Sequence, residues 1–354
     1  MNESADKLLV EQEFHSLSSL FDKLEDTYSN RLARHALTIG TAMTRIEPTS
    51  ERIKRVLEFR KLTFSIKEIS NFLYHVKIGK ELILPYYIIK DGKSKDNTRT
   101  FYLFLSDNNR ARSVLHTFFK NSKPYFETSI LTQEDMFEII ENFRENYSPN
   151  LLFVDGTLKI PGETRRTWRR EAIPYDPNYL RKIAENENGR WSSIVIRTSD
   201  KRIRFRLYEE GIVTLYYGSF TTIWDFIVKP LLRKIDERAQ IFKEVEMSAP
   251  KDEGLKVLKL WYSEELTKNI LNAIRDKLSQ RYLTSILHSG NPYLHLEIID
   301  REDFSNLTVF ASGNEIEIIP GRSVTVSTLV ELVSLILDIL PPLRISISEG
   351  ESYV

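Results

Sequence analysis

The sequence predicts an α+β fold: antiparallel three-stranded meanders covered by helices, with a long helix at the N-terminus. Three observations carry that expectation. Short runs rich in branched and aromatic residues recur along the chain, as strands require. The order helix, three strands, helix occurs twice, over 177–242 and 263–340, and its tight connections favour antiparallel sheets covered by helices. A length of 354 residues with 41% hydrophobic content is ample for a sizeable core.

Taken in order, residues 4–45 read as helix. Val10, Phe14, Leu17, Phe21, Leu24 and Tyr28 step by four and three, which is a heptad seam. That seam either packs on its own domain or docks on another subunit. Pro48 ends the segment. LTFSI, NFLYHVKI, LILPYYII and TFYLFL follow as strands, with DGKSKDN (91–97) as a polar loop. Helices are expected over 108–120 and 132–146, then a strand over 150–157, NLLFVDGT. The basic stretch 159–180, punctuated by Pro161, Gly162, Pro174 and Pro177, reads as a loop. A short helix near 177–187, the strands SSIVIRT, RIRFRLY and IVTLYYG, and a helix over 221–242 complete one unit. Helix 263–287, the strands YLHLEII, NLTVFA and EIEII, and helix 324–340 complete the second. Residues 60–120 form a looser third copy. Four segments result: a helical 1–57, an α+β module over 58–158, a basic module over 159–250 and an acidic module over 251–354.

Composition narrows the function. Cysteine is absent, which excludes disulfides, thiolate nucleophiles and cysteine-based zinc sites. Four glutamines beside 28% charged residues suit a thermophile. The acidic, polar start MNESADKLLVEQ does not read as a signal peptide, and the apolar run 329–340 is too short to span a bilayer. A cytoplasmic protein is therefore expected. Fifty Lys/Arg balance fifty Asp/Glu, yet the charges are not evenly spread. Gly156 to Arg206 holds thirteen basic and six acidic residues (13 − 6 = +7); Trp261 to Val354 holds seven and thirteen (7 − 13 = −6).

The positive charge concentrates in two places. In RRTWRR, Arg165, Arg166, Arg169 and Arg170 flank Trp168. Guanidinium forks match phosphate oxygens, and indoles stack on bases. In RIRFRLY, alternation places Arg202, Arg204, Arg206 and Tyr208 on one strand face and Ile203, Phe205 and Leu207 on the other. Arginines on an outer strand face also commonly pair with carboxylates. Combined in one 50-residue window, the two clusters predict a sequence-tolerant, salt-dependent contact with nucleic-acid backbone, DNA or RNA.

Motifs for catalysis are sparse. GKS at 92–94 lacks the glycine a phosphate loop needs at position 87, where Tyr87 stands. The six histidines show no ligand spacing, and His295, Glu297 and Asp300 make at most a partial metal set. Asp155 ends the apolar strand NLLFVDGTL, either as an ordinary Asp-Gly turn or as a strand-end metal ligand. With the preceding helix EDMFEIIENFREN and the IRTSDKRIRFRL hairpin, residues 133–240 resemble the archaeal NurA nuclease family. That resemblance implies an RNase H-like nuclease using Asp155 and Mg²⁺ or Mn²⁺, although KDGK poorly replaces the family's earlier Asp-Gly strand.

As a whole, the chain resembles the separately encoded partners of archaeal short Argonaute proteins, in its compact α+β modules, one basic face and candidate docking helices at both ends. The resemblance implies a non-catalytic subunit of an antiviral defence complex that brings a basic surface to a nucleic-acid duplex. A protein scaffold whose basic face meets an acidic partner is the remaining alternative.

Overall fold

The computed structural model describes residues 8–44, 47–94, 99–122, 126–128, 131–160, 166–187, 189–249, 254–289, 293–301, 304–321, 323–340 and 342–349. Two antiparallel sheets organise them. The larger takes β1 (Leu37–Thr44), β2 (Thr63–Ser70), β3 (Leu73–Gly79), β4 (Ile83–Lys93), β5 (Thr100–Ser106), β6 (Glu127–Thr128), β7 (Leu151–Lys159), β8 (Arg166–Pro174), β9 (Arg190–Thr198), β10 (Arg204–Tyr208) and β11 (Ile212–Tyr217). Their spatial order is β2-β3-β4-β5-β1-β11-β10-β9-β7-β8, with β6 paired to β1. The smaller takes β12 (Lys256–Trp261), β13 (Leu283–Ser289), β14 (Tyr293–Ile299), β15 (Asn306–Ser312), β16 (Glu315–Pro320) and β17 (Arg344–Glu349), in the order β13-β14-β15-β16-β12-β17.

The helices are α1 (Leu17–Ser29), α2 (Glu51–Phe59), α3 (Ala111–Ser122), α4 (Gln133–Asn146), α5 (Pro177–Asn186), α6 (Phe220–Ile223), α7 (Lys229–Ser248), α8 (Lys268–Arg281) and α9 (Val326–Ile339). A π-turn, Trp224–Val228, joins α6 to α7. Their starts follow capping chemistry. Ser16, Thr267 and Thr325 each accept a backbone N–H of the first turn, and Thr132 with Asp135 forms a reciprocal capping box.

Alternation along the strands sorts side chains onto two faces of the large sheet. On β4, Tyr87 and Ile89 join one apolar cluster with Phe14, Leu20 and Leu24. Tyr86 and Ile88 join the opposite cluster with Leu115 and Phe118 of α3. Both faces are therefore covered around β1–β5. Across β7–β11 one face is packed under α4, α5 and α7 through Phe153, Ile194, Ile196, Phe205, Val213 and Leu215. Helix α7 serves two cores. Leu231, Ile235 and Ala239 pack with the large sheet, and Phe242 and Val245 pack with the small one. Three cations tie the second unit to the first: Lys159 Nζ donates to Leu337 O at 2.9 Å, Arg190 Nη1 to Pro342 O at 3.5 Å and Arg238 Nη1 to Ile345 O at 2.8 Å.

Both expected meanders are present, β9-β10-β11 in one sheet and β14-β15-β16 in the other. Several expectations are corrected. The helix expected over 4–45 is thirteen residues, Leu17–Ser29, preceded by a 3-10 turn at Leu9–Glu11, and the end of that stretch is β1, a strand buried along its whole length. Because β1 lies between β5 and β11, the boundaries drawn at 57/58 and 158/159 cut through one continuous sheet. The stretch 159–180 contains a strand, β8, and the helix expected over 263–287 stops at Arg281, where β13 takes over. The candidate docking helices are used within the chain. Leu20, Leu24 and Tyr28 are buried, Phe21 meets Phe220 and Trp224 edge-on at 5.2 Å, and Leu329, Leu332, Val333 and Ile336 of α9 fill the second core. Among the described residues no helix is long and apolar enough to cross a membrane.

Candidate nucleic-acid interface

A bulge in β7 decides where Asp155 points. Phe153 pairs with Ile196, but Asp155 pairs with the very next residue of β9, Val195. The extra residue reverses the parity of the strand. Phe153 faces the core; Asp155 is turned to the face that α4, α5 and α7 leave uncovered. The register places Arg206 opposite Val195 and Arg204 opposite Arg197, on that same face. Tyr216 of β11 follows, alternating with the buried Leu215.

These side chains form one polar cluster. Arg206 Nη2 donates to Asp155 Oδ1, and Arg204 Nη2 lies 3.7 Å from Asp155 Oδ2. The Arg204 guanidinium stands over the Tyr216 ring at 4.9 Å from its centroid. Burial alone would pull the Arg206 guanidinium down, but the phenols of Tyr216 and Tyr208 and the Asp155 carboxylate outweigh it and hold it above the usual arginine range. Burial pushes the Tyr216 phenol up. Arg204 and Arg206 thus share the Asp155 carboxylate, and the register places Arg197 on the same face.

The predicted contact residues fare differently. Arg202 is 80% exposed in its side chain and lies 3.3 Å from Asp200. Arg204 and Arg206 are held by Asp155 at 34% and 20% side-chain exposure, so they are partnered rather than free. Tyr208 does not form a stacking platform: it is buried in the second apolar cluster, with Arg112 over its ring at 3.9 Å. Trp168 packs against the core behind β7 instead of standing out from a loop, its backbone opposite Gly156. Arg165 lies outside the described residues, as do the side chains of Arg166, Arg169 and Arg170. The backbone places Arg166, Arg169 and Arg170 on β8, an edge strand, with Arg169 opposite Asp155. Sequence reasoning missed Arg197 and Tyr216. Only the pairing of β10 with β9 on one side and β11 on the other brings them to the cluster.

No protein-family model matches the chain, and no curated protein matches it.

The residues present do not fit a metal at Asp155, because two guanidinium groups already fill the cation position on its carboxylate. Asp300 turns inward, 3.7 Å from Arg281, while Glu297 faces solvent, so His295, Glu297 and Asp300 do not converge. Among the described residues no group of three or more His, Asp or Glu side chains is arranged to hold a metal ion. A cleft of about 740 Å³ runs between the two units and shares no residue with the arginine face. Its wall carries Glu134, Glu185, Glu187, Glu264 and Glu265 against Lys159, Arg181 and Arg190, an excess of acid that repels phosphate.

Proposed function

We propose that the chain is a non-catalytic, nucleic-acid-binding subunit that grips the phosphate backbone with the arginine-bearing face of β9–β11 and the neighbouring edge strand β8. One observation carries this reading: Arg197, Arg204 and Arg206 lie on one face, two of them on the single Asp155 carboxylate, beside a strand that brings three more arginines. Asp155 acts as a stand-in for phosphate. It holds Arg204 and Arg206 extended and partly desolvated until a backbone oxygen takes its place, since guanidinium forks accept either anion. Contacts of this kind carry no sequence information and depend on salt. The resemblance to partners of short Argonautes supplies the candidate assembly, in which a second protein reads the sequence.

The test is fluorescence anisotropy with single- and double-stranded DNA and RNA oligonucleotides over a salt series. Replacing Arg197, Arg204 and Arg206 together by Ala should weaken binding to all sequences alike and flatten the salt slope by about two to three. An unchanged affinity and slope would falsify the reading.

A further inference from the structure

The cleft between the two units is lined by polar groups that the fold leaves unused. Arg190 opens β9 and Tyr262 directly follows β12, so the two residues meet the cleft from opposite units. They form its floor, at 6% and 5% exposure. The Tyr262 backbone is clamped: its N–H donates to Asn314 O at 2.8 Å, and its carbonyl accepts from Asn314 Nδ2 at 3.1 Å. Arg190 Nη2 donates to Glu209 at 3.2 Å and Nη1 to Pro342 O. Among the described residues, Arg190 Nε and Tyr262 Oη have no hydrogen-bond partner. Burial lowers the Arg190 guanidinium to about 10, opposed by Glu209 and Tyr262, so it stays charged at neutral pH. Burial pushes the Tyr262 phenol up, so it keeps its proton. The floor therefore offers one N–H and one O–H donor. A buried donor without an acceptor destabilises a fold, and an acceptor that reaches it removes that cost. A guanidinium carries several N–H groups, so Arg190 can keep Glu209 on Nη2 while Nε–H takes a second acceptor.

The mouth has the opposite character. The cations of the wall are already engaged: Lys159 on Leu337 O, Arg181 on Glu134 and Arg190 on Glu209. Glu185 of α5, with Glu264 and Glu265 ahead of α8, is exposed, and the three form no ion pair among the described residues. Uncompensated carboxylates around one opening attract a cation. Glu264 stands two residues beyond Tyr262, at most about 7 Å along the chain, so one small molecule can meet both ends.

We infer that the cleft binds a basic amino-acid zwitterion, its carboxylate seated on Arg190 Nε–H and the Tyr262 hydroxyl and its ammonium or guanidinium side chain held by Glu185, Glu264 and Glu265. A volume of about 740 Å³ is in the range that encloses small ligands. A polyanion is repelled at the mouth, and a simple polycation leaves the floor donors unanswered. A molecule with both ends satisfies both. A free basic amino acid and the C-terminal residue of a basic peptide present this same chemistry. The site shares no residue with the arginine face, so its test is independent of nucleic-acid binding.

The experiment is isothermal titration calorimetry on the full chain with four probes. These are L-arginine; L-citrulline, whose ureido group is neutral; agmatine, which lacks the carboxylate; and N-acetylglycyl-L-arginine as a chain end. L-arginine or the acetylated dipeptide should bind with a dissociation constant below about 1 mM, and citrulline and agmatine at least about tenfold more weakly. The tighter of the first two identifies the source as a free amino acid or a chain end. Tyr262→Phe removes only the unpartnered hydroxyl. It should leave the urea midpoint of the unliganded chain no lower and weaken arginine about tenfold. Glu264→Gln with Glu265→Gln, on the exposed rim, should weaken arginine about three- to tenfold and leave citrulline unchanged. No heat from arginine or the dipeptide up to about 10 mM, citrulline or agmatine binding as tightly as arginine, or full arginine affinity in Tyr262→Phe overturns the inference.

Discussion

The Arg206 guanidinium closes on the Asp155 carboxylate across strand β9, and no backbone hydrogen bond joins their two strands directly. The pair joins two readings that compete at the level of sequence. Asp155 was the candidate nuclease ligand and Arg206 a candidate phosphate contact. In the fold each is the other's partner. Four changes test what this and the surrounding contacts do.

Asp155→Asn separates the readings directly. With its carboxylate gone, the cluster gains one effective positive charge. Affinity for nucleic acid should rise, and the salt slope should steepen by about one. A nuclease would instead lose cleavage with binding little changed. Anisotropy and a metal-supplemented cleavage assay on the same preparation decide between them.

Gly156→Ala tests the packing behind that face. A Cβ at this position would lie 2.6 Å from Trp191 Cζ3, and Trp191 is fully buried with its indole N–H donated to Leu180 O at 2.9 Å. The ring has nowhere to retreat, so overpacking should cost about 1–3 kcal/mol in urea denaturation. Trp191→Phe in the same chain should recover part of the loss in the double variant relative to the sum of the single changes.

Arg238→Ala should uncouple the two units. Arg238 donates to Asp135 Oδ2 and to Ile345 O, both at 2.8 Å, while Asp135 also closes the α4 capping box through Thr132. Removing one partner of a buried pair leaves the other uncompensated, at about 3–5 kcal/mol. Calorimetry should show the main transition lowered and split in two.

Acid should loosen the N-terminal segment. His75 Nε2 lies 3.2 Å from Val10 O, Tyr87 donates to Gln12 O, and Asp107 accepts from Leu9 N at 2.6 Å. Burial, assisted by Lys77 and Lys67 and opposed by the hydrogen bond to Val10, holds the His75 imidazole below its ordinary 6.5. Between the folded value and 6.5 the unfolded chain binds more protons, so stability falls as pH drops through that window. His75→Gln, which keeps a donor but cannot titrate, should flatten the profile in urea titrations between pH 7.5 and pH 5, the range about the ordinary histidine value.

Strands with clear alternation and tight turns, such as Arg204–Tyr208 and Asn306–Ser312, were legible in the sequence because one face meets core and the other does not. β1 was not. LTIGTAMT is buried on both faces in the middle of a sheet, so it lacks the period-two signature and reads as a continuation of the helix before it. β13 was hidden for the opposite reason, since Ile286 and Leu287 look like one more turn of an amphipathic helix. β8 was masked by its arginines and prolines, which suit an edge as well as a loop. The Asp155–Arg206 contact depends on a bulge and on β9 lying between β7 and β10. Neither strand order nor bulge position is written in local spacing.

The place of β1 has a consequence for synthesis. Leu37 to Gly40 pair with Leu215 to Ile212, while β5 and β6 take the rest of β1, so this part of the strand stays open on one side until the ribosome has delivered about three-fifths of the polypeptide. A nascent chain ending before Ile212 presents a hydrophobic, half-satisfied ladder to the crowded exit environment. Such a truncation should need a chaperone to stay dispersed, whereas one extended through Tyr217 should remain in the supernatant without help.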